Sequence, residues 1–146
     1  MPPGSLKYQL EPFSCDGFDK VKTWTLSYRF EGGKRNGVKY NGDSRFCYLP
    51  DTPDGREVLA LLIKAFKRKL TFTIGHSVVR GKDNCIVWAI HHKTNTHGGS
   101  SHYGFPDPTY FNRVKNELAD KGVLIEDVKE ISDAVQSTTG IVIKSK

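Results

Sequence analysis

The sequence predicts an α+β domain with mostly antiparallel strands and two to three helices. Two runs, Val21–Phe30 and Leu70–Ile74, alternate apolar with polar residues, which is typical of half-buried strands. Two stretches that begin near Asp54 and Asp107 instead repeat apolar residues at helical spacing. Strands and helices do not alternate regularly, which favours antiparallel pairing over a parallel βαβ sheet. Without an internal repeat or a clear linker, residues 1–146 are interpreted as one compact domain.

The first predicted strand, VKTWTLSYRF, places Trp24, Leu26, Tyr28 and Phe30 on one face. After it, the segment 32–44 is rich in glycine and polar residues. This segment is predicted as a long loop, which either folds over a site or forms variable surface.

The first helix is predicted to begin at Asp54, because Asp54 can cap it and Glu57 can complete a capping box. Its apolar residues form a broad face that is assigned to the core: Val58, Leu59, Leu61, Leu62, Ala65 and Phe66. The strand that follows is predicted to end at Gly75. Ile86–Trp88 is predicted as a further short strand, joined to it by the turn-like residues Arg80–Asn84.

The second helix is predicted to be capped by Asp107, with Pro108 in its first turn, and to end at Gly122. A third helical pattern follows, formed by Leu124, Ile125, Val128, Ile131 and Val135. Ile141–Ile143 is predicted as a last strand.

Composition excludes several classes of protein. No apolar stretch is long enough to span a bilayer, and the first residues lack the apolar core of a signal peptide, so no membrane partner is expected. Cys15, Cys47 and Cys85 are odd in number and widely spaced, which argues against a disulfide scaffold and a zinc–thiolate site. A reducing compartment, cytoplasm or nucleus, is expected.

The net charge of +6 fits a polyanionic or phosphate-bearing partner. Much of the excess lies on the first predicted helix, where such a run is more simply a solvated face: Lys64, Lys67, Arg68 and Lys69.

The segment WAIHHKTNTHGGSSHYGFPDP, residues 88–108, carries most of the information about function. It combines histidines, a lysine, aromatic rings and paired glycines between an apolar strand and a helix. Such a loop suits a polar ligand that has both rings and phosphates. Its first candidate site residues are His91, His92, Lys93, Thr94, Tyr103 and Phe105.

Other chemistries fit the spacing less well. Adjacent side chains in extended backbone point in opposite directions, so His91 and His92 make a poor metal pair, and no metal is expected. Cys85 lies in an apolar run, where a thiol is usually inert packing. Neither the serines nor the glycines fit the motifs of a nucleophile elbow or a phosphate loop.

A groove for a ligand with polar rings remains. Gly75 allows close approach to backbone, and Tyr103 and Phe105 are candidates to stack on a base. His91 and Lys93 are candidates to reach hydroxyls or phosphate. The carboxylate of Glu117 is either a general base or an ordinary surface group, and its spacing alone favours the second reading.

Eight sequence words resemble the Deltex C-terminal (DTC) domain of Deltex-family ubiquitin ligases, and they follow the family order over residues 2–123. They are PPG, CYLPD, DGREVLALL, AFKRKLTFTIG, VW, IHHKT, YGFPDPTYF and NELADKG. The resemblance leaves 124–146 as a C-terminal extension of unknown role.

The resemblance implies a pocket for NAD and ADP-ribose, with no cofactor required, and binding of ADP-ribosylated proteins. The implied ligand-binding residues are Gly75, Ser77, His91, His92, Lys93, Thr94, Tyr103, Gly104, Phe105 and Tyr110. It also implies catalytic roles for Glu117 and His91 in ubiquitin transfer onto the ligand, which reverses the interpretation of Glu117 from spacing.

Such transfer requires a RING domain with a ubiquitin-charged E2, and this chain lacks the roughly eight Cys and His ligands of a RING. The isolated chain is therefore expected to bind and not to catalyse. It also departs from the family at Ser77–Gly81, where many relatives read SSTTG, and between Trp88 and the histidines, where one residue is missing. A single-stranded nucleic-acid binder and a RING-less reader of ADP-ribose stay open as alternatives.

Overall fold

A computed structural model describes residues 1–77, 82–128 and 141–145, with backbone alone at 76–77, 82–84, 127 and 141–145. The described elements, in chain order, are strands β1 (Gly4–Glu11), β2 (Thr23–Phe30), β3 (Gly33–Arg35), β4 (Val38–Tyr40) and β5 (Asp43–Pro50), helix α1 (Pro53–Lys67), strands β6 (Phe72–Ser77) and β7 (Lys82–Trp88), helix α2 (Tyr110–Asp120), and strand β8 (Ile141–Ser145). The predicted α+β class is confirmed.

The main sheet contains four antiparallel strands in the order β5-β2-β1-β8. Its inner face carries alternate apolar residues, such as Leu6 opposite Tyr28 and Leu26 opposite Cys47, all almost fully buried. Helix α1, which has nine buried residues, packs against this face. The ring of Phe66 lies 5.7 Å from the Tyr28 ring. The sequence prediction of a strand at Val21–Phe30 is confirmed as β2.

Two hairpins form separate two-stranded sheets. The predicted loop at 32–44 is wrong, because β3 and β4 pair antiparallel across Asn36 and Gly37, both at positive φ. An Asn-Gly turn in this conformation matches the twist of the two strands and nucleates a hairpin. The second hairpin pairs β6 with β7, as predicted, but β7 begins at Lys82, so residues 82–84 of the predicted turn belong to the strand. Residues 78–81 lie outside the described residues.

Helix α1 begins two residues earlier than predicted. Thr52 is the N-cap, and its hydroxyl accepts a hydrogen bond from the Gly55 amide at 3.0 Å. The expected cap, Asp54, instead lies in the first turn and pairs with Lys115 of α2 at 2.9 Å. The predicted capping box is therefore replaced by a contact between the two helices.

Helix α2, in contrast, begins later than predicted. It follows Thr109, which makes no side-chain capping bond, and the predicted cap Asp107 is engaged in ion pairs. The predicted end at Gly122 is confirmed in substance, since the helix ends at Asp120 and Gly122 has positive φ.

The C-terminal segment is only partly described. Residues Ile125–Asp127 form a single 3-10 turn and Val128 is buried, while Ile131 and Val135 of the predicted third helix lie outside the described residues. The predicted last strand is confirmed as β8, which pairs with β1. The segment 124–146 thus supplies an edge strand of the main sheet. Among the described residues, no helix is long and apolar enough to cross a membrane.

Candidate functional site

A cavity of about 340 Å³ opens where β7 ends and the following loop begins. Its walls are Trp88, His91, His92, Thr94 and Tyr103. A volume of this size is within the range of small-molecule sites. The loop that the sequence singled out therefore does form a concave surface, and four of its predicted site residues meet there.

Three hydrogen bonds hold His91 in place. The carboxylate of Glu117 accepts one from the His91 backbone N–H at 2.8 Å and one from the ring atom Nδ1 at 2.9 Å. The Tyr110 hydroxyl donates a third to the His91 carbonyl at 2.9 Å. The imidazole is largely exposed, with 69% of the side chain open to solvent. No described residue hydrogen-bonds its other nitrogen, Nε2, which is the atom left for a ligand.

His92 is buried whereas His91 is exposed, although both side chains line the cavity. Its Nδ1 lies 2.8 Å from the Ile90 carbonyl, which can only accept, so Nδ1 carries the proton. Nε2 then accepts from the Tyr28 hydroxyl at 2.9 Å. Burial, opposed by the bond to Ile90, lowers the pKa of His92 to about 4. His92 is therefore a neutral wall of the cavity and contacts Trp88 with ring centroids 4.4 Å apart.

Lys93 does not reach the cavity, contrary to the sequence prediction. Its ammonium is buried, donates to Asp107 at 2.7 Å, and lies 5.0 Å from the Tyr110 ring centroid. Burial acts to raise the pKa of Asp107, but Lys93 and then Arg113 outweigh it and hold that pKa below its usual range. The three groups fix the loop to the start of α2. Lys93 is therefore structural and is not available to phosphate.

The outer wall of the cavity forms where the loop turns back and Tyr103 lies beside Thr94 and Asn95. The amides of Thr94 and Asn95 both donate to the Tyr103 carbonyl, at 2.9 and 3.2 Å. Tyr103 is 61% exposed, so its ring is open to a ligand. Gly104 follows, and a Cβ there would meet the His97 carbonyl oxygen at 1.9 Å. Only glycine allows this approach, so the predicted importance of Gly104 is steric.

Two predicted contact residues are instead buried packing groups. Phe105 is 0% exposed, and its ring packs against Phe18 and Tyr110, so it has no face for stacking on a base. Tyr110 is also buried, and it reaches the site only through its hydroxyl and the His91 backbone.

Gly75 is not among the described residues that line the cavity. Strand β6 continues past the predicted end at Gly75 to Ser77, with a register shift between them. A Cβ at Gly75 would make only an ordinary contact with Val87 at 3.7 Å, so nothing there requires glycine. The Ser77 side chain lies outside the described residues.

Sequence reasoning did not include Trp88 and Tyr28 among the site residues. Trp88 forms a wall of the cavity, and Tyr28 orients His92 from β2, 64 residues away. The position of Trp88 as the last residue of a strand, directly before the polar loop, was an available signal. No sequence signal links Tyr28 to the loop, because the contact is tertiary.

The described residues include no cluster of three His, Cys, Asp or Glu side chains able to hold a metal ion. What they do form is an aromatic-walled cavity with one histidine held by a carboxylate at its mouth. A carboxylate that accepts from Nδ1 fixes the orientation of the ring and leaves Nε2 as the nitrogen that can accept a hydrogen bond from a bound hydroxyl. The arrangement is suited to a small ligand that carries a hydroxyl close to His91.

Comparison with known proteins gives the family. The model of the Deltex C-terminal domain matches residues 1–123. The human probable E3 ubiquitin-protein ligase DTX3 is 46% identical over 113 residues, which covers 73% of this chain and 33% of that protein. The E3 ubiquitin-protein ligase DTX1 of Xenopus laevis is 40% identical over 134 residues, or 86% of this chain and 22% of that protein.

The mouse E3 ubiquitin-protein ligase DTX4 is 37% identical over 131 residues, which covers 84% of this chain and 21% of that protein. The chain belongs to the Deltex C-terminal domain family. It spans about a third of the length of the DTX3 relatives and about a fifth of the DTX1 and DTX4 relatives. The resemblance seen in the sequence words is thereby confirmed.

Proposed function

We propose that the His91 cavity binds NAD and ADP-ribose, both free and attached to proteins. The observation that carries the proposal is the fixed His91 at the mouth of an aromatic-walled cavity of about 340 Å³. Trp88 and Tyr103 offer ring faces for a base, and His91 Nε2 offers a partner for a ribose hydroxyl. Three of the motifs that resemble the family, VW, IHHKT and YGFPDPTYF, supply the walls of this cavity, which adds to the support.

We further propose that the chain presents this ligand for ubiquitination. The curated relatives are named as E3 ubiquitin-protein ligases, and this chain corresponds to a minor part of their length. A RING domain, in the same or another chain, would bring a ubiquitin-charged E2 to the ligand. The ribose oxygen would attack the thioester carbonyl, the C–O bond would form, and the C–S bond would break. His91, held by Glu117, would take the hydroxyl proton, and the E2 cysteine would leave as a thiolate.

Calorimetry with His91→Ala tests the binding proposal. We expect ADP-ribose and NAD to bind the parent chain, and the alanine variant to bind at least about tenfold more weakly. His97→Ala is the matched control, because His97 is an exposed histidine of the same loop that does not line the cavity. Absence of heat with both ligands, or equal loss in the two variants, would overturn the proposal.

The same titration distinguishes binding of ADP-ribose from binding of single-stranded nucleic acid. A single-stranded oligonucleotide held by phosphate contacts should lose affinity steeply between about 50 and 200 mM salt. Binding of ADP-ribose in a cavity whose walls are mostly rings should change far less. If an oligonucleotide alone binds, and only at low salt, the nucleic-acid reading replaces the one proposed.

A further inference from the structure

A second cavity, of about 240 Å³, lies beside the β3–β4 hairpin. It is lined by the N-terminal residues 1–3, by Lys34, Arg35 and Tyr40 of the hairpin, and by Ile74 of β6. It shares no lining residue with the His91 cavity. Whatever it binds is therefore additional to the ligand proposed above.

The cations at this cavity have no counterion in the part of the chain that the structure describes. The described ion pairs of Asp and Glu involve other basic side chains, so neither Lys34 nor Arg35 has an acidic partner there. Lys34 also lies directly opposite Lys39 in the hairpin register. Lys39 does not line the cavity, so the side-chain cations available to an anion there are Lys34 and Arg35.

The walls of the cavity add to the attraction of Lys34 and Arg35 for an anion. Pro2, Pro3, Ile74 and the largely buried Tyr40 ring supply apolar surface next to the two cations. Apolar walls beside charged donors reduce solvent screening and favour binding of an anion.

We propose that this second cavity binds a phosphate group, with Arg35 as a bidentate donor and Lys34 as the second cation. The guanidinium fork matches two phosphate oxygens, and an ammonium adds a point charge. A phosphate monoester carries about −1.5 to −2 charges at pH 7, which two cations balance better than they balance a single carboxylate. The phosphate belongs either to a small polyphosphate or to a phosphorylated side chain.

Chemical-shift mapping tests the proposal with inorganic pyrophosphate and with a short phosphoserine peptide, beside its unphosphorylated form. We expect shifts localised to Lys34, Arg35, Tyr40 and Ile74. The stronger of the two probes identifies the source of the phosphate. The double variant Lys34→Gln/Arg35→Gln should bind that probe at least about tenfold more weakly, since both charged hydrogen-bond donors are gone.

The matched control is Lys7→Gln/Lys67→Gln, which removes two exposed charges away from the cavity and should bind as the parent does. His91→Ala should also retain binding, so failure of the ADP-ribose proposal does not affect this test. Equal weakening in both double variants would show diffuse attraction to net charge. Retained binding in Lys34→Gln/Arg35→Gln would show that neither cation holds the probe. Either result, or no localised shift, overturns the phosphate site.

Discussion

At the scale of single residues, His92 couples the stability of the domain to pH. Its pKa is lowered to about 4 in the folded chain, from an ordinary value of 6.5. Between those values the unfolded chain binds the extra proton, so stability is complete above pH 6.5 and falls as pH drops towards 4. We expect a loss of about 2 kcal/mol in unfolding free energy between about pH 7 and pH 5.

Urea unfolding at the two pH values measures this loss. His92→Gln is the comparison, since glutamine cannot titrate, and its stability should change much less over the same interval. The pKa of Asp107 is also lowered, but from 3.8, so its contribution is lost below this window. An equal pH dependence in parent and variant would mean that His92 is not the titrating group.

Tyr110 is a positioning residue for His91. Its hydroxyl bonds the His91 carbonyl at 2.9 Å while its ring is buried. Tyr110→Phe removes that bond and keeps the ring, so we expect a stability cost of about 1 kcal/mol. We also expect ADP-ribose affinity to fall by about threefold to tenfold, because His91 is less well held.

The measurements for Tyr110→Phe are calorimetry and the shift of the His91 amide. Tyr48→Phe is the control, because Tyr48 has no hydroxyl bond among the described contacts and does not line the cavity. An unchanged His91 amide with parental affinity would contradict the positioning role.

At the scale of elements, the buried ion pair of Lys93 and Asp107 joins the site loop to α2. Lys93→Met leaves a buried carboxylate with only the half-exposed Arg113, and we expect a cost of about 3 kcal/mol. Arg113→Met leaves the buried pair intact and should cost less than about 1 kcal/mol. Denaturant unfolding of both variants checks the difference. Equal losses would show that Lys93 and Arg113 contribute alike.

The same contacts explain why helix starts were harder to predict than helices. The residues that the sequence offers as caps, Asp54 and Asp107, are both diverted to tertiary partners, Lys115 and Lys93. Strand β5 was missed because Phe46, which is 53% exposed, breaks its apolar alternation. Strand β2 was predicted correctly because one face of it is almost uniformly apolar. In both helices the residue that the sequence offers as a cap is held in an ion pair, and the helix begins at another residue.

At the scale of the whole molecule, the site combines residues from distant parts of the chain. The loop supplies His91, Thr94 and Tyr103, which could be predicted because donors and rings cluster there in sequence. Glu117 comes from α2, 26 residues after His91, and its spacing on the helix gave no sign of the contact. Only the family resemblance indicated Glu117, because the return of α2 over the loop is a property of the fold.

The pairing of Glu117 with His91 leads to a prediction about transfer chemistry. A group that acts only as a general base affects the rate and not the ligand affinity. Because its carboxylate holds both the backbone and the ring of His91, we now expect Glu117→Ala to weaken ADP-ribose binding by a few-fold as well. The larger effect should be on rate, since a hydroxyl loses its proton only in the transition state.

The experiment joins a RING domain ahead of Pro2 and supplies E1, E2, ubiquitin and labelled ADP-ribose at saturating concentration. Under saturation the affinity loss disappears, and we expect adduct formation by Glu117→Ala to remain at least about tenfold slower than in the parent. Ubiquitination of ordinary lysines, which needs only the RING and E2, should continue and serves as the internal control. If saturating ligand restores the parental rate, Glu117 acts only by positioning His91 for binding. If binding and rate both match the parent, its contact with His91 has no part in the chemistry.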